Sequence, residues 1–390
     1  GCKLRLVGMS TKTLLFTDCV DLVGSACKAF SGTKKYVSTG AVDVDHINDA
    51  DTEIVDYEGK PSRANLEAVP GDVLFAKMQG TKKTLMIDSA LAYHIYSTGF
   101  CAVRAKDGVL TDRCLYHLLT SKTFLSQKDK NCSGATQKAI TNAGLNKITV
   151  RVPSIEEQGG IAEQLDAIIS IIAKRQQELA VLDDLIKARF VEMFGEPRSN
   201  PNKYAKAQLK DTCKVITGNT PSRAVNEYYG DYIEWIKTDN IVSGLLNPTI
   251  ASEYLSEEGV KVGRTVEKGS ILMACIAGSI ASIGRVCVAN RKVAFNQQIN
   301  AIVPQKYNEL FLYTMLQISK DYLVEEINMA LKGILSKSKL EEKTFIIPPI
   351  ELQKDFSEFN KQVDKSKIAV QKALDEAQLL FDSLMQTYFG

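Results

Sequence analysis

The sequence predicts an α+β chain: two globular domains joined by two long antiparallel coiled-coil helices, arranged as a pseudo-two-fold internal repeat. Three observations carry this expectation. An offset of half the chain brings two segments into register without a gap. Both segments sustain a heptad pattern free of proline. The stretches that precede them carry short period-two runs bounded by glycine, aspartate and asparagine.

At an offset of 195 residues, Val152–Gly195 aligns on Ile347–Gly390, and ten of the 44 positions are identical, from Pro153/Pro348, Ile155/Ile350, Glu156/Glu351 and Gln158/Gln353 to Phe194/Phe389 and Gly195/Gly390. Each copy opens with a short extended run, Ile148–Val152 and Phe345–Ile347, stopped by Pro153 and by Pro348-Pro349. Proline holds the residue before it extended and suits the first turn of a helix, so a helix is expected to begin at each.

Beyond Gly159 and Gly160, no glycine or proline interrupts the first copy before Gly195, and none interrupts the second from Glu351 to Phe389. Ile161, Leu165, Ile168, Ile172, Leu179, Leu182, Ile186 and Met193 fall on alternating steps of three and four. Phe356, Val363, Val370, Leu374, Ala377, Phe381, Leu384 and Tyr388 keep the same register. Such a seam is the mark of a coiled coil. Its polar interruptions do not coincide: Arg175 answers Val370, and Asn360 answers Leu165. Two unlike helices packing on one another is the natural reading; two amphipathic helices each lying on its own domain is the alternative. The uninterrupted run Glu156–Met193 gives a rod of about 57 Å, longer than a small domain is wide, and therefore a spacer. The expected divisions are 1–151 and 196–346 for the globular domains, with 152–195 and 347–390 for the spacer helices.

The globular parts share an order of features more than a sequence. A turn-rich opening (Ser31-Gly32-Thr33 against Gly218 to Arg223) precedes an extended segment with Thr and Asp (Val37–His46 against Ile233–Ile241). Gly71–Ala76 (G-D-V-L-F-A) then answers Gly269–Ala274 (G-S-I-L-M-A), and Gly80 answers Gly278. A Leu- and Tyr-rich helix follows, Asp112–Phe124 against Glu309–Asp321, and last a small-residue loop with lysine, Cys132–Lys138 against Met329–Lys339.

Composition narrows the function. With 45% hydrophobic and 24% charged residues the chain is globular rather than disordered. Its net charge of +2 excludes a bulk polycation. The charge is divided, though: the globular parts sum to +8 and the helices to −6, which directs a polyanion to the former and leaves the latter for protein partners. No apolar stretch is long enough for a membrane span and no signal peptide opens the chain, so a cytoplasmic protein is expected. The nine cysteines contain no C-x-x-C pair and read as reduced thiols. Phosphate-loop, zincin, nucleophile-elbow and dinucleotide-turn signatures are absent, as is the amino-methyltransferase tetrapeptide. The three histidines, His46, His94 and His117, all lie in the first half, so no symmetric histidine chemistry is available, and His117 reads as a core residue. Carboxylate pairs such as Asp43/Asp45 read as solvated, and no metal site is expected.

Several runs together resemble the specificity (S) subunits of Type I restriction-modification systems. They are G-N-T-P-S-R at Gly218–Arg223, Y-Y-G-D-Y-I-E-W-I-K-T-D-N-I at Tyr228–Ile241, A-G-S-I-A-S-I-G-R-V at Ala277–Val286, F-N-Q-Q-I at Phe295–Ile299 and the I-P-P-I-E-L-Q entry to the second helix. The resemblance spans essentially the whole chain and is weaker in the first half. It implies two target-recognition domains that read a bipartite, asymmetric site on double-stranded DNA. It also implies recruitment of two methyltransferase (modification) subunits and then restriction/translocase subunits. S-adenosylmethionine, ATP and Mg are expected on those partners and no cofactor on this chain, which would be a non-catalytic subunit with no catalytic residues.

Base reading needs paired donors and acceptors, whereas Lys and Arg on phosphate mainly set affinity. The candidates in the second domain are Thr220, Ser222, Arg223, Lys237, Thr238, Asp239, Asn240, Lys337 and Lys339; in the first they are Lys34, Lys35, Lys77, Gln79, Lys82 and Lys83. Phe295–Gln298 reads equally well as a strand with structural amides. The rival functions are a non-catalytic coiled-coil scaffold that binds only proteins and a single-chain DNA nuclease.

Overall fold

A computed structural model describes residues 10–327 and 333–390. Cys2 and residues 329–332 of the lysine-containing loop lie outside the described residues. Two compact units divide the chain, Gly1–Arg175 with Ala373–Gly390 and Gln176–Lys372. The two long helices run Ile155–Phe194 and Ile350–Phe389, and their ends coincide on the offset of 195 residues.

In the first unit, strand Thr11–Leu15 pairs antiparallel with Thr149–Pro153, which leads into the long helix. An antiparallel sheet has the order Val20–Val23, Phe100–Ala105, Val73–Ala76, Thr84–Met86. A second sheet, Glu53–Val55, Lys34–Val37, Ile95–Ser97, Ala64–Leu66, has a parallel pair at its centre, with Tyr36 opposite Ile95. All four residues of Val73–Ala76 are buried because this strand is covered on both faces. Val73 and Phe75 face the helix-covered core with Phe124, while Leu74 and Ala76 face a second cluster around Tyr96 and Phe100.

The second unit repeats this topology. Cys213–Thr217, Ile299–Pro304, Ile271–Ala274 and Val286–Val288 form the antiparallel sheet. A five-stranded sheet again holds a central parallel pair, Ile233–Ile236 with Val293–Phe295. Ile271 and Met273 face one cluster and Leu272 and Ala274 another, as in the first unit. Gly71 and Gly269 turn the chain into these strands at φ of +92° and +90°, a region that favours glycine, which explains the shared opening G-x-x-L-x-A. Lys34–Val37, ahead of the Val37–His46 run, is the strand that answers Ile233–Ile236, since each forms the parallel pair of its unit.

Within each unit the long-helix segments pack in opposite directions. In the first, Ile161, Leu165 and Ile168 are buried with Leu384, Met385, Tyr388 and Phe389, with Ile172 and Phe381 packed against them, and the Tyr388 hydroxyl donates to Gln164 Oε1 at 2.5 Å. In the second, Phe190 and Phe194 close on Phe356 and Phe311, with ring centroids 4.8–5.8 Å apart, and Val363 and Leu182 extend the cluster. Lys367 Nζ meets Asp183 Oδ1 there at 2.6 Å. Val370, Ile186 and Leu384 are buried and Leu179 and Leu374 half-buried, whereas Ile171, Val181, Ile368 and Leu379, off the seam, are exposed.

One identical pair in the repeat has identical work. Gln158 and Gln353 are fully buried. Gln158 Oε1 accepts the backbone N–H of Thr111 at 2.8 Å, and its Nε2 donates to the carbonyls of Val109 and Pro153. Gln353 Oε1 accepts the N–H of Asn308 at 2.9 Å, and its Nε2 donates to the Pro348 carbonyl. Thr111 and Asn308 are the N-caps of the helices Asp112–Thr120 and Glu309–Ile318. Each long helix is thus fastened to its unit by one amide that joins a helix cap to the proline turn. His117 is a core residue that adds a further tie in the first unit, Nε2 to Asp166 Oδ1 at 2.9 Å.

Candidate nucleic-acid interface

In the second unit the loop Gly218–Arg223 is fixed residue by residue. A Cβ at Gly218 would lie 2.1 Å from the Asn296 carbonyl oxygen, so only glycine fits this approach. The Asn219 side chain donates to the Val262 carbonyl and accepts the N–H of Arg264. Thr220 donates to Gln297 Oε1. Pro221 is buried, and its carbonyl accepts the Tyr229 hydroxyl at 2.7 Å. Trp235, buried on the central parallel strand, donates its indole N–H to the Asn219 carbonyl.

This frame presents cations on aromatic faces. The Arg223 guanidinium carbon lies 4.4 Å from the Tyr229 ring centroid and 5.1 Å from that of Trp235; Lys237 Nζ lies 5.2 Å from Trp235. The two rings meet edge to face at 6.1 Å. Glu253, just before the strand Tyr254–Leu255, takes both cations: Arg223 Nη2 at 2.5 Å, and Lys237. The Lys237 hydrogen bond, and secondarily that of Arg223, holds the Glu253 carboxyl below the usual range although partial burial opposes it. Arg223 stays about half exposed, so donors remain for a ligand.

The other candidates divide. Ser222, Thr220 and Asp239 are exposed. Thr238 is half-buried, its carbonyl accepting from Arg285 Nη2 at 3.3 Å. Asn240 is buried, its amide spent on the Lys237 N–H, the Thr249 hydroxyl and the Ile250 carbonyl, so it shapes the turn instead of facing a ligand. Asn296 and Gln298 bond to each other, while Gln297 is exposed beside Thr220. Lys337 pairs with Glu341 at 3.5 Å on the short helix Lys337–Glu342, where Lys339 is also exposed.

The first unit repeats the chemistry with other residues. Phe30 and Tyr57 meet edge to face at 5.6 Å. Lys34 Nζ lies 4.9 Å from the Phe30 centroid and Lys60 Nζ 5.5 Å from that of Tyr57. Glu67 Oε1 accepts from Lys34 at 3.0 Å. Of the remaining candidates, Lys35 pairs with Asp49 at 2.7 Å, and Lys83 donates to the Thr39 carbonyl at 2.7 Å. Lys77 lines a shallow surface pocket with Thr39, Arg63, Thr98 and Gln137. Gln79 and Lys82 are exposed. Glu253, Glu67, Phe30 and Tyr57 carry no local sequence signal, since only strand register and loop packing bring them to the cations; Gln297 and Arg285 stand inside the runs Phe295–Ile299 and Ala277–Val286. Among the described residues no cluster of His, Cys, Asp and Glu suits a metal ion.

Comparison with known proteins gives a consistent result. The model of the Type I restriction modification DNA specificity domain matches residues 22–182 and again 201–377. The chain is 24% identical over 314 residues to the MjaIX specificity subunit of a Type I restriction enzyme from Methanocaldococcus jannaschii, covering 74% of this chain and 70% of that one. It is 21% identical over 342 residues to the HindI specificity subunit from Haemophilus influenzae, covering 68% and 73%. A chain of a solved structure described as the basis of complex assembly and conformational transition of the type I R-M system superposes with a TM-score of 0.58 at 20% identity, over 97% of both chains. The S subunit from M. genitalium superposes with a TM-score of 0.57 at 15% identity, over 99% and 98%. These two likenesses establish the fold.

Proposed function

The chain belongs to the family of Type I restriction modification DNA specificity domains, present here in two copies, and from that membership we infer that it is the sequence-specific DNA-recognition subunit of such a complex. The carrying observation is the duplicated match, joined by the cation-on-aromatic cluster of each unit: Arg223 and Lys237 on Trp235 and Tyr229, and Lys34 and Lys60 on Phe30 and Tyr57.

In this reading each of the globular parts, 1–151 and 196–346, contacts one half of a bipartite site, and the helices 152–195 and 347–390 act as spacers. Exposed cations contact phosphate and set affinity; donors held in a fixed frame, as on Arg223, read base edges. The subunit aims and the chemistry resides elsewhere: methylation on modification subunits with S-adenosylmethionine, cleavage and translocation on restriction subunits with ATP and Mg. No described helix is long and apolar enough to cross a membrane, and we place the protein in the cytoplasm with its DNA.

Methylome sequencing of cells carrying this chain with its methyltransferase subunit tests the reading. The expected result is one bipartite asymmetric motif, changed in one half only when Arg223 is replaced. Duplex affinity that does not fall with salt, or methylation indifferent to this chain, would support the scaffold alternative instead.

A further inference from the structure

In both units a carboxylate sits against the cations that the aromatic rings present. Glu253 engages Arg223 and Lys237 together, and Glu67 engages Lys34. Side-chain exposure is 33% for Glu253 and 21% for Glu67, so neither is a loose surface ion. Another carboxylate of the second unit gives the contrast. Glu234, on the neighbouring strand, is held bidentately by Arg291 at 2.5 and 2.6 Å and also accepts the Ala251 N–H, an arrangement that closes the sheet. The Glu253 carboxylate accepts no backbone N–H among the described residues: its partners are the two cations over the rings, Lys237, partly buried, and Arg223, about half exposed.

We propose that Glu253 is a specificity-determining latch that withholds Arg223 and Lys237 from phosphate, and that Glu67 does the same for Lys34; the proposal rests on the DNA-recognition reading above. A free surface cation meets phosphate on any sequence and gains by counterion release. A cation already paired with a carboxylate gains little from exchanging one anion for another. Arg223 nevertheless has five N–H donors, and those not turned to Glu253 remain free to meet an acceptor pair such as the O6/N7 edge of guanine with the latch still closed. The carboxylate therefore lowers affinity for random DNA more than affinity for the matching site. The rings keep the guanidinium in place while it chooses.

The test uses the full chain, a random-sequence duplex and a duplex carrying the methylation motif mapped for the wild type, each titrated across potassium chloride concentrations. Glu253→Gln keeps the shape and removes the charge. The slope of log K against log salt on random duplex is expected to steepen by about 0.9 for one released cation and about 1.8 for both. Random-duplex binding at about 0.1 M salt then tightens roughly five- to tenfold per cation, and the ratio of specific to random affinity falls. Glu253→Asp, which keeps the charge, is expected to hold the slope near wild type. Glu234→Gln is the control for a merely structural carboxylate and should leave the slope unchanged. An unaltered slope and ratio in Glu253→Gln, or parallel weakening on both duplexes, overturns the latch. A wild type without salt-dependent duplex binding would overturn the DNA reading itself.

Discussion

Replacing Gln158 by leucine removes one amide and strands three backbone groups of the first unit. The volume is nearly kept, so the loss is of hydrogen bonds and not of packing. The Thr111 N–H and the Val109 and Pro153 carbonyls lose partners at 2.8, 2.8 and 3.1 Å. A buried group left without a partner costs about 1–3 kcal/mol. Because Thr111 is only half-buried and water can reach part of the site, the sum is expected near 3–5 kcal/mol. Gln353→Leu strands the Asn308 N–H and the Pro348 carbonyl, so about 2–4 kcal/mol is expected there. A chain of two units need not unfold in one step, so the assay is native-state amide exchange, read at Leu115 and Leu118 for the first variant and at Leu312 and Met315 for the second. Each variant should speed exchange in its own unit's helix. If both leave protection within about 0.5 kcal/mol of wild type, the amide is not a fastening and the argument fails.

Two further outcomes follow from the helices. Leu165→Ala, at a fully buried seam position, is expected to destabilise by about 2–5 kcal/mol, whereas Ile171→Ala, at an exposed position off the seam, should stay within about 0.5 kcal/mol; equal effects in urea denaturation would remove the seam. Burial pushes the Asp364 carboxyl above its ordinary range, with Lys367 opposing and Asp183 adding, and its Oδ2 is buried without a hydrogen bond. A carboxyl raised on folding gives stability that is full below its unfolded pKa and lost as pH rises through the folded value. Asp364→Asn should therefore raise the denaturation midpoint at neutral pH and flatten its decline above about pH 4; an unchanged pH profile contradicts this.

The helices were legible because a periodic pattern without breakers leaves few alternatives, and Pro153 and Pro348 mark starts within two residues of the observed ones. The glycine-led strands Val73–Ala76 and Ile271–Ala274 were legible for a similar reason: a positive φ beside a buried run is written in local sequence. The central parallel pairs were not. Tyr36 meets Ile95, and Trp235 meets Ala294, across long intervening chain, and nothing near either strand encodes that partner. Arg223 and Lys237 stood in recognisable runs, yet their shared carboxylate is set by the pairing of Ile233 with Leu255. Asn240 had suitable chemistry for base reading; the turn after Lys237 claims its amide because three backbone and side-chain groups there need it.

The glutamine at the root of each long helix separates two demands on the chain. The amide itself reaches only a proline carbonyl, the N-cap of one helix and, in the first unit, the Val109 carbonyl, so the loops that carry the cations and rings take no part in it. The two units differ in those loops and keep the same amide. The socket is indifferent to the tool it carries.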